Sequence, residues 1–120
     1  MSYRCLTNNP MVYNQDLSFV EVVKGTPLDL FIVIKEEIAK GFRLITHPLT
    51  SSLAPNTSPY KTVFLSSGAA TEIHMESLQI IEKAIAYTED LMKNHPLPNW
   101  DDASRKDFQL VDLDLIKHLL

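Results

Sequence analysis

The chain has one cysteine, Cys5, so it forms no internal disulfide, and no Cys-x-x-Cys or Cys/His spacing for a metal is present. Disulfide scaffolds and zinc-stapled modules are thereby excluded, and a reducing, cytoplasmic setting is the natural expectation. Basic residues are also short: 11 Lys and Arg against 15 Asp and Glu give a net charge of −4. A phosphate-backbone binder normally carries a basic stripe, so nucleic acid is not an expected partner. No stretch approaches the ~18 apolar residues of a membrane span, and the opening MSYRCLTNNP lacks the apolar run of a signal peptide. The Gly-x-Gly-x-x-Gly pattern of a dinucleotide site is missing, as is the Gly-x4-Gly-Lys-Ser/Thr pattern of a triphosphate loop. No cofactor and no metal are expected. Repeats and low-complexity tracts are absent too.

The chain does hold enough apolar residues, 45% of 120, for one domain with a sizeable core. Tyr3–Thr7 (YRCLT) reads as a first strand, stopped by Asn8-Asn9-Pro10. One helical turn fits residues 11–15, and SFVEVV at 18–23 reads as a second strand. The first helix is sharply marked: Thr26 as N-cap, Pro27 at the first helical position, and Asp29 three residues after the cap. Leu28, Phe31, Ile32, Ile38 and Phe42 are expected on its inner face. Gly41 supplies the left-handed residue that ends it. A third strand over 43–46 follows at once, which suggests a right-handed strand–helix–strand crossover.

Residues 48–60 form a loop with three prolines and no helical periodicity. Loops of that length inside compact domains are commonly functional, and here a binding loop is expected. Thr62–Ser66 reads as strand four, and a second long helix spans about 72–93, capped by Thr71 or His74. Its buried stripe is expected to hold Leu78, Ile81, Ala84, Ile85, Tyr87 and Leu91. The tail reads either as a strand over 108–112 with a helix over 113–119, or as one continuous amphipathic helix. These elements predict an α/β fold: one small domain with a mostly parallel, four- to five-stranded, Rossmann-like sheet and helices packed on it.

Three polar segments carry the candidate site: TNNP after strand one, ITHPLTSS after strand three, and PNTSPYKTV before strand four. Asn8, Asn9, Thr46, His47, Ser51, Lys61, Ser66 and Ser67 are the candidate ligand-binding residues. His47 is a titratable ring at a strand end, the ligand-facing edge of an open α/β sheet. It also suits a plain role, bonding the loop backbone beside Pro48. Asn8 and Asn9 present amides or form an Asx turn. Lys61 is a cation for an anionic ligand, or a solvated strand-start lysine. Ser66 and Ser67 lead towards a helix N-terminus, where N–H groups favour anions. Asp112 and Asp114 suit a cap or a solvated helix face better than a metal pair. Tyr60 and Trp100 read as core or loop anchors.

The same three segments, with residues 77–82 and 110–116, resemble the GrdX family. These are small proteins associated with glycine reductase gene clusters of anaerobic, amino-acid-fermenting bacteria. The resemblance spans nearly the whole chain and implies a context, with glycine reductase components as partners; it implies no catalytic residue. Cys5, inside an apolar strand, gives no support for redox work. The expected function is a non-enzymatic accessory protein that binds a small polar or anionic ligand or a partner subunit through the strand-end loops. The alternative is a small enzyme using His47 as general acid or base on a small anionic substrate. Self-association into a homo-oligomer stays open.

Overall fold

The computed structural model describes residues 3–49 and 54–120. In chain order the elements are β1 (Tyr3–Thr7), α1 (Pro10–Tyr13), β2 (Val20–Val22), α2 (Pro27–Ala39), β3 (Thr62–Ser66), α3 (Met75–Asn94) and α4 (Asp102–Ile116). A 3-10 turn over Lys117–Leu119 closes the chain. The sheet order is β2-β1-β3, with β1 parallel to β2 and antiparallel to β3. No helix among the described residues is long and apolar enough to cross a membrane.

The α/β class holds, but the four- to five-stranded, mostly parallel, Rossmann-like sheet does not. Among the described residues the sheet has three strands and is mixed. Two expectations fail to give strands. The expected third strand makes only a bridge, Leu44 to Leu65, with Ile45 N donating to Phe64 O and Ser66 N to Arg43 O. It flanks β3 without extending into a strand. The tail is one helix over Asp102–Ile116, the second of the two readings, so no fifth strand forms. The direction of β3 has a plain cause. Parallel neighbours need a crossover, usually a helix, and the described residues of the link between 46 and 62 contain none. The chain therefore doubles back, and β3 runs antiparallel to both the 43–46 segment and β1.

The sheet is buried on both faces. Leu6 of β1 and Val63 and Leu65 of β3 point to one side, where Leu30, Phe31, Ile34 and Ile38 of α2 and Ile81 and Ala84 of α3 cover them. Cys5 and Phe64 point to the other, against Val12 of α1 and Ile116 of α4. Strands buried on both faces show continuous apolar runs rather than alternation, which is why YRCLT and TVFLS read as they do.

α2 begins at the expected capping box: Asp29 N donates to Thr26 Oγ1 at 3.3 Å, and Thr26 N to Asp29 Oδ2 at 2.8 Å. Its inner face is rotated from the expected one, since Leu30 and Ile34 are buried while Ile32 is 43% exposed. Gly41 has φ +106°, as its position required, and an added Cβ would land on the Ala70 carbonyl oxygen. His74, not Thr71, caps α3 by accepting from Ser77 N at 3.2 Å. Tyr87, expected inside, is 47% exposed, and Thr88 takes the inner position. Arg4 ties the layers: its guanidinium forks onto Glu21 at 2.8 and 2.7 Å, reaches Glu37 at 2.8 Å, and sits 4.4 Å above the Phe42 ring.

Candidate functional site

The pairing of β1 with β3 sets Thr7 directly opposite Thr62. Both lie two residues from Cys5 and Phe64, so both hydroxyls point to the α4 face. There α4 presents a stripe of Phe108, Asp112 and Ile116 at four-residue spacing, with a carboxylate where an apolar residue would be ordinary. Asp112 is 7% exposed. Its Oδ2 accepts from Thr62 Oγ1 at 2.7 Å and from Asn9 Nδ2 at 2.9 Å. With the Thr62 proton on Asp112, Thr7 Oγ1 shares its single proton between Thr62 Oγ1 at 2.8 Å and Lys61 O at 3.2 Å. Thr7 in turn accepts from Asn9 N at 3.0 Å. Asn9 also caps α1 through Met11 N and donates to Gln109 O. A buried polar network thus joins the ends of β1 and β3 to α1 and α4.

A cavity of about 150 Å³ opens beside this network, lined by Thr46, His47, Pro48, Lys61, Thr62 and Asp112, with Leu115, Ile116, His118 and Leu119 completing its wall. Lys61 is buried, at 3% exposure, whereas His47 and His118 are exposed, so the imidazoles stand on the solvent side. Burial pushes the Asp112 carboxyl above the usual carboxylate range, and the bonds from Thr62 and Asn9 and the charge of Lys61 only partly oppose it. Burial likewise lowers the Lys61 ammonium, with the Asp112 charge opposing. Each charge therefore steadies the other in a poorly hydrated place. His47 accepts from Leu49 N at its Nδ1, at 3.0 Å, so the neutral ring carries its proton on Nε2.

A family model described as GrdX-like protein matches residues 4–120. The chain belongs to the GrdX-like family. No curated protein and no solved structure matches it. The family's extent takes in every described element except the first residue of β1, so network and cavity lie wholly within the GrdX-like region.

Of the candidate residues read from this GrdX-like sequence, three line the cavity: Thr46, His47 and Lys61. Thr46 also accepts from Phe64 N at 3.0 Å, closing the edge of β3. Asn9 stands behind the wall, holding Asp112. Asn8 is a clip: its Nδ2 donates to Gly25 O and Pro59 O, and its Oδ1 accepts from Lys61 N at 2.8 Å. It fixes the backbone of Lys61 without lining the cavity. Ser66 lies at the far end of β3, opposite Tyr3, and bonds Arg43 N and Gly68 O; Ser67, beyond it, is exposed. Neither joins the others, because β3 runs the opposite way from the expected direction. Ser51 lies outside the described residues. Tyr60 and Trp100 act as loop anchors, bonding Gln109 and Thr57 O respectively.

Sequence reasoning missed Thr62 and His118 and misread Asp112 as a cap or solvated position. A signal for Asp112 was present. Reading 102–116 as one helix places it between Phe108 and Ile116 on the apolar stripe, where an acid is buried and needs partners.

Proposed function

We propose that this GrdX-like protein is a non-enzymatic accessory protein that binds a small polar ligand in the cavity between the 46–48 segment, the start of β3 and the end of α4. The observation that carries the reading is a buried carboxylate and a buried ammonium, Asp112 and Lys61, on the wall of one small cavity. Burying charges is unfavourable, and keeping two of opposite sign beside an opening suits a polar guest. The hydrogen bond at His47 Nδ1 supports binding over acid–base catalysis: in the neutral ring that lone pair is engaged by Leu49 N–H and Nε2 bears the proton. The family resemblance supports a cytoplasmic context beside glycine reductase components, with the cavity as the molecular activity.

Heteronuclear NMR of the whole chain tests this, with acetate, phosphate, glycine and acetamide as millimolar probes. Affinities in the millimolar range, about −4 kcal/mol, are reasonable for guests of four or five heavy atoms. At least one probe should shift the His47 and His118 ring signals together with the amides of residues 46–48, 61–62 and 112–119. His47→Gln should reduce that affinity while leaving the rest of the spectrum in place. Shifts scattered over the surface, or none with any probe, would contradict the reading.

A further inference from the structure

We infer that the guest of this cavity is a small zwitterion, with its ammonium end on Asp112 and its anionic end towards Lys61. The inference rests on the binding reading above and adds the ligand's class.

The first support is the unused half of Asp112. Both hydrogen bonds that its carboxylate accepts fall on Oδ2, and among the described residues Oδ1 accepts none. The side chain is more than nine-tenths buried and lines the cavity. An ionised carboxylate only accepts, and its second oxygen takes a donor from whatever occupies the space. A carboxylate or phosphate guest brings no such donor and adds a like charge.

The second support is the charge balance. Lys61 stands on the same wall, so the buried charges of the cavity sum to zero, and the two histidines are on its solvent side. A guest with net negative charge faces Asp112, and one with net positive charge faces Lys61, in surroundings where water screens poorly. A guest with one charge of each sign meets a partner at both ends. Size sets the third limit. A cavity near 150 Å³ accommodates a benzene-sized molecule, about six heavy atoms. The Leu115, Ile116, Leu119 and Pro48 walls take the hydrocarbon between the two charged ends.

Titrations of the wild-type chain with glycine, β-alanine and 4-aminobutyrate, against acetate, methylammonium and phosphate, read out the answer by amide and imidazole shifts. The three zwitterions differ in charge separation, so one should fit best. That one should bind at least tenfold tighter than either acetate or methylammonium. Asp112→Asn, which keeps an acceptor and loses the charge, should weaken it at least tenfold without weakening acetate. Lys61→Met should weaken it by a similar factor without weakening methylammonium. If acetate or phosphate enters the same cavity as tightly as every zwitterion, the inference fails and the binding reading survives. If methylammonium does so, the result is the same. If no probe moves the cavity signals, both fail.

Discussion

Replacing Asp112 by alanine and by asparagine separates two consequences of its carboxylate: it gathers hydrogen bonds, and it is a charge out of water. In alanine the acceptor of Thr62 Oγ1 and Asn9 Nδ2 disappears. Asn9 Nδ2 keeps its bond to Gln109 O and Thr62 Oγ1 still has Thr7 Oγ1 at 2.8 Å, so what is lost is two bonds to a carboxylate, ~1–3 kcal/mol. Asparagine can present its amide oxygen where Oδ2 lies, keep both donors satisfied and remove the buried charge. Its loss should be smaller than that of alanine by this hydrogen-bond share, while both variants equally take from the buried Lys61 the opposite charge that steadies it. Urea unfolding resolves the two: with a slope near ~1.5 kcal/mol/M, ~2 kcal/mol shifts the midpoint by more than ~1 M. The pH dependence adds a sign. Burial holds the folded-state pKa of Asp112 above its unfolded value of 3.8, so in the window just above 3.8 the folded chain holds more protons than the unfolded one. Stability from this group is present below that value and lost as pH rises through the folded pKa. The wild-type stability minus that of Asp112→Asn should therefore fall with rising pH across the window and be flat above it. Lys61, His47 and His118 around the cavity are common to both proteins. An alanine variant as stable as the asparagine variant, or a difference that rises with pH, would refute the reasoning.

Three further outcomes follow from other parts of the molecule. Cys5 is fully buried and its thiol is pushed up to about 12, first by burial and then by the charges of Asp112 and Glu21; a thiol-reactive dye at pH 8 should label it only on unfolding, and fast labelling of the native chain would contradict its placement. Gly41→Ala should destabilise by at least ~1–2 kcal/mol, since φ +106° disfavours a side chain and the Cβ meets the Ala70 carbonyl, and coincident urea midpoints would disprove the turn. Asn8→Ala removes three side-chain bonds, to Gly25 O, Pro59 O and Lys61 N, and should lower stability by ~2–4 kcal/mol in the same assay, with an unchanged midpoint showing the clip to be idle.

Local chemistry was the legible part of this fold. Thr26, Pro27 and Asp29 mark the start of α2 and Gly41 its end because capping depends on residues a few positions apart. The bounds of Tyr3–Thr7 and Thr62–Ser66 were equally plain from their apolar runs. Strand direction was harder, since it depends on what joins the strands. The link between 46 and 62 has no helical periodicity in its sequence, which favours antiparallel pairing, yet the strand–helix–strand pattern before it suggested a parallel sheet. That one reversal moved Ser66 and Ser67 away from Thr7 and brought Thr62 to it. For the site, His47 and Lys61 were visible as chemically active types beside prolines. The partner that decides the charge of the cavity, Asp112, stands 51 residues after Lys61 and is visible only once 102–116 is read as a single helix.

Carbon-13 NMR of the side-chain carboxyl observes directly whether Asp112 is a buried carboxylate that meets a guest. Selectively labelled wild-type protein, titrated with and without the best-binding small zwitterion, should show Asp112 protonating above the ordinary aspartate range in the free protein. Adding the ligand should shift the Asp112 signal and lower its pKa, because an ammonium beside the carboxylate favours its charged form. An ordinary aspartate titration that no small polar ligand disturbs would contradict the claim that this carboxylate forms the floor of a binding site.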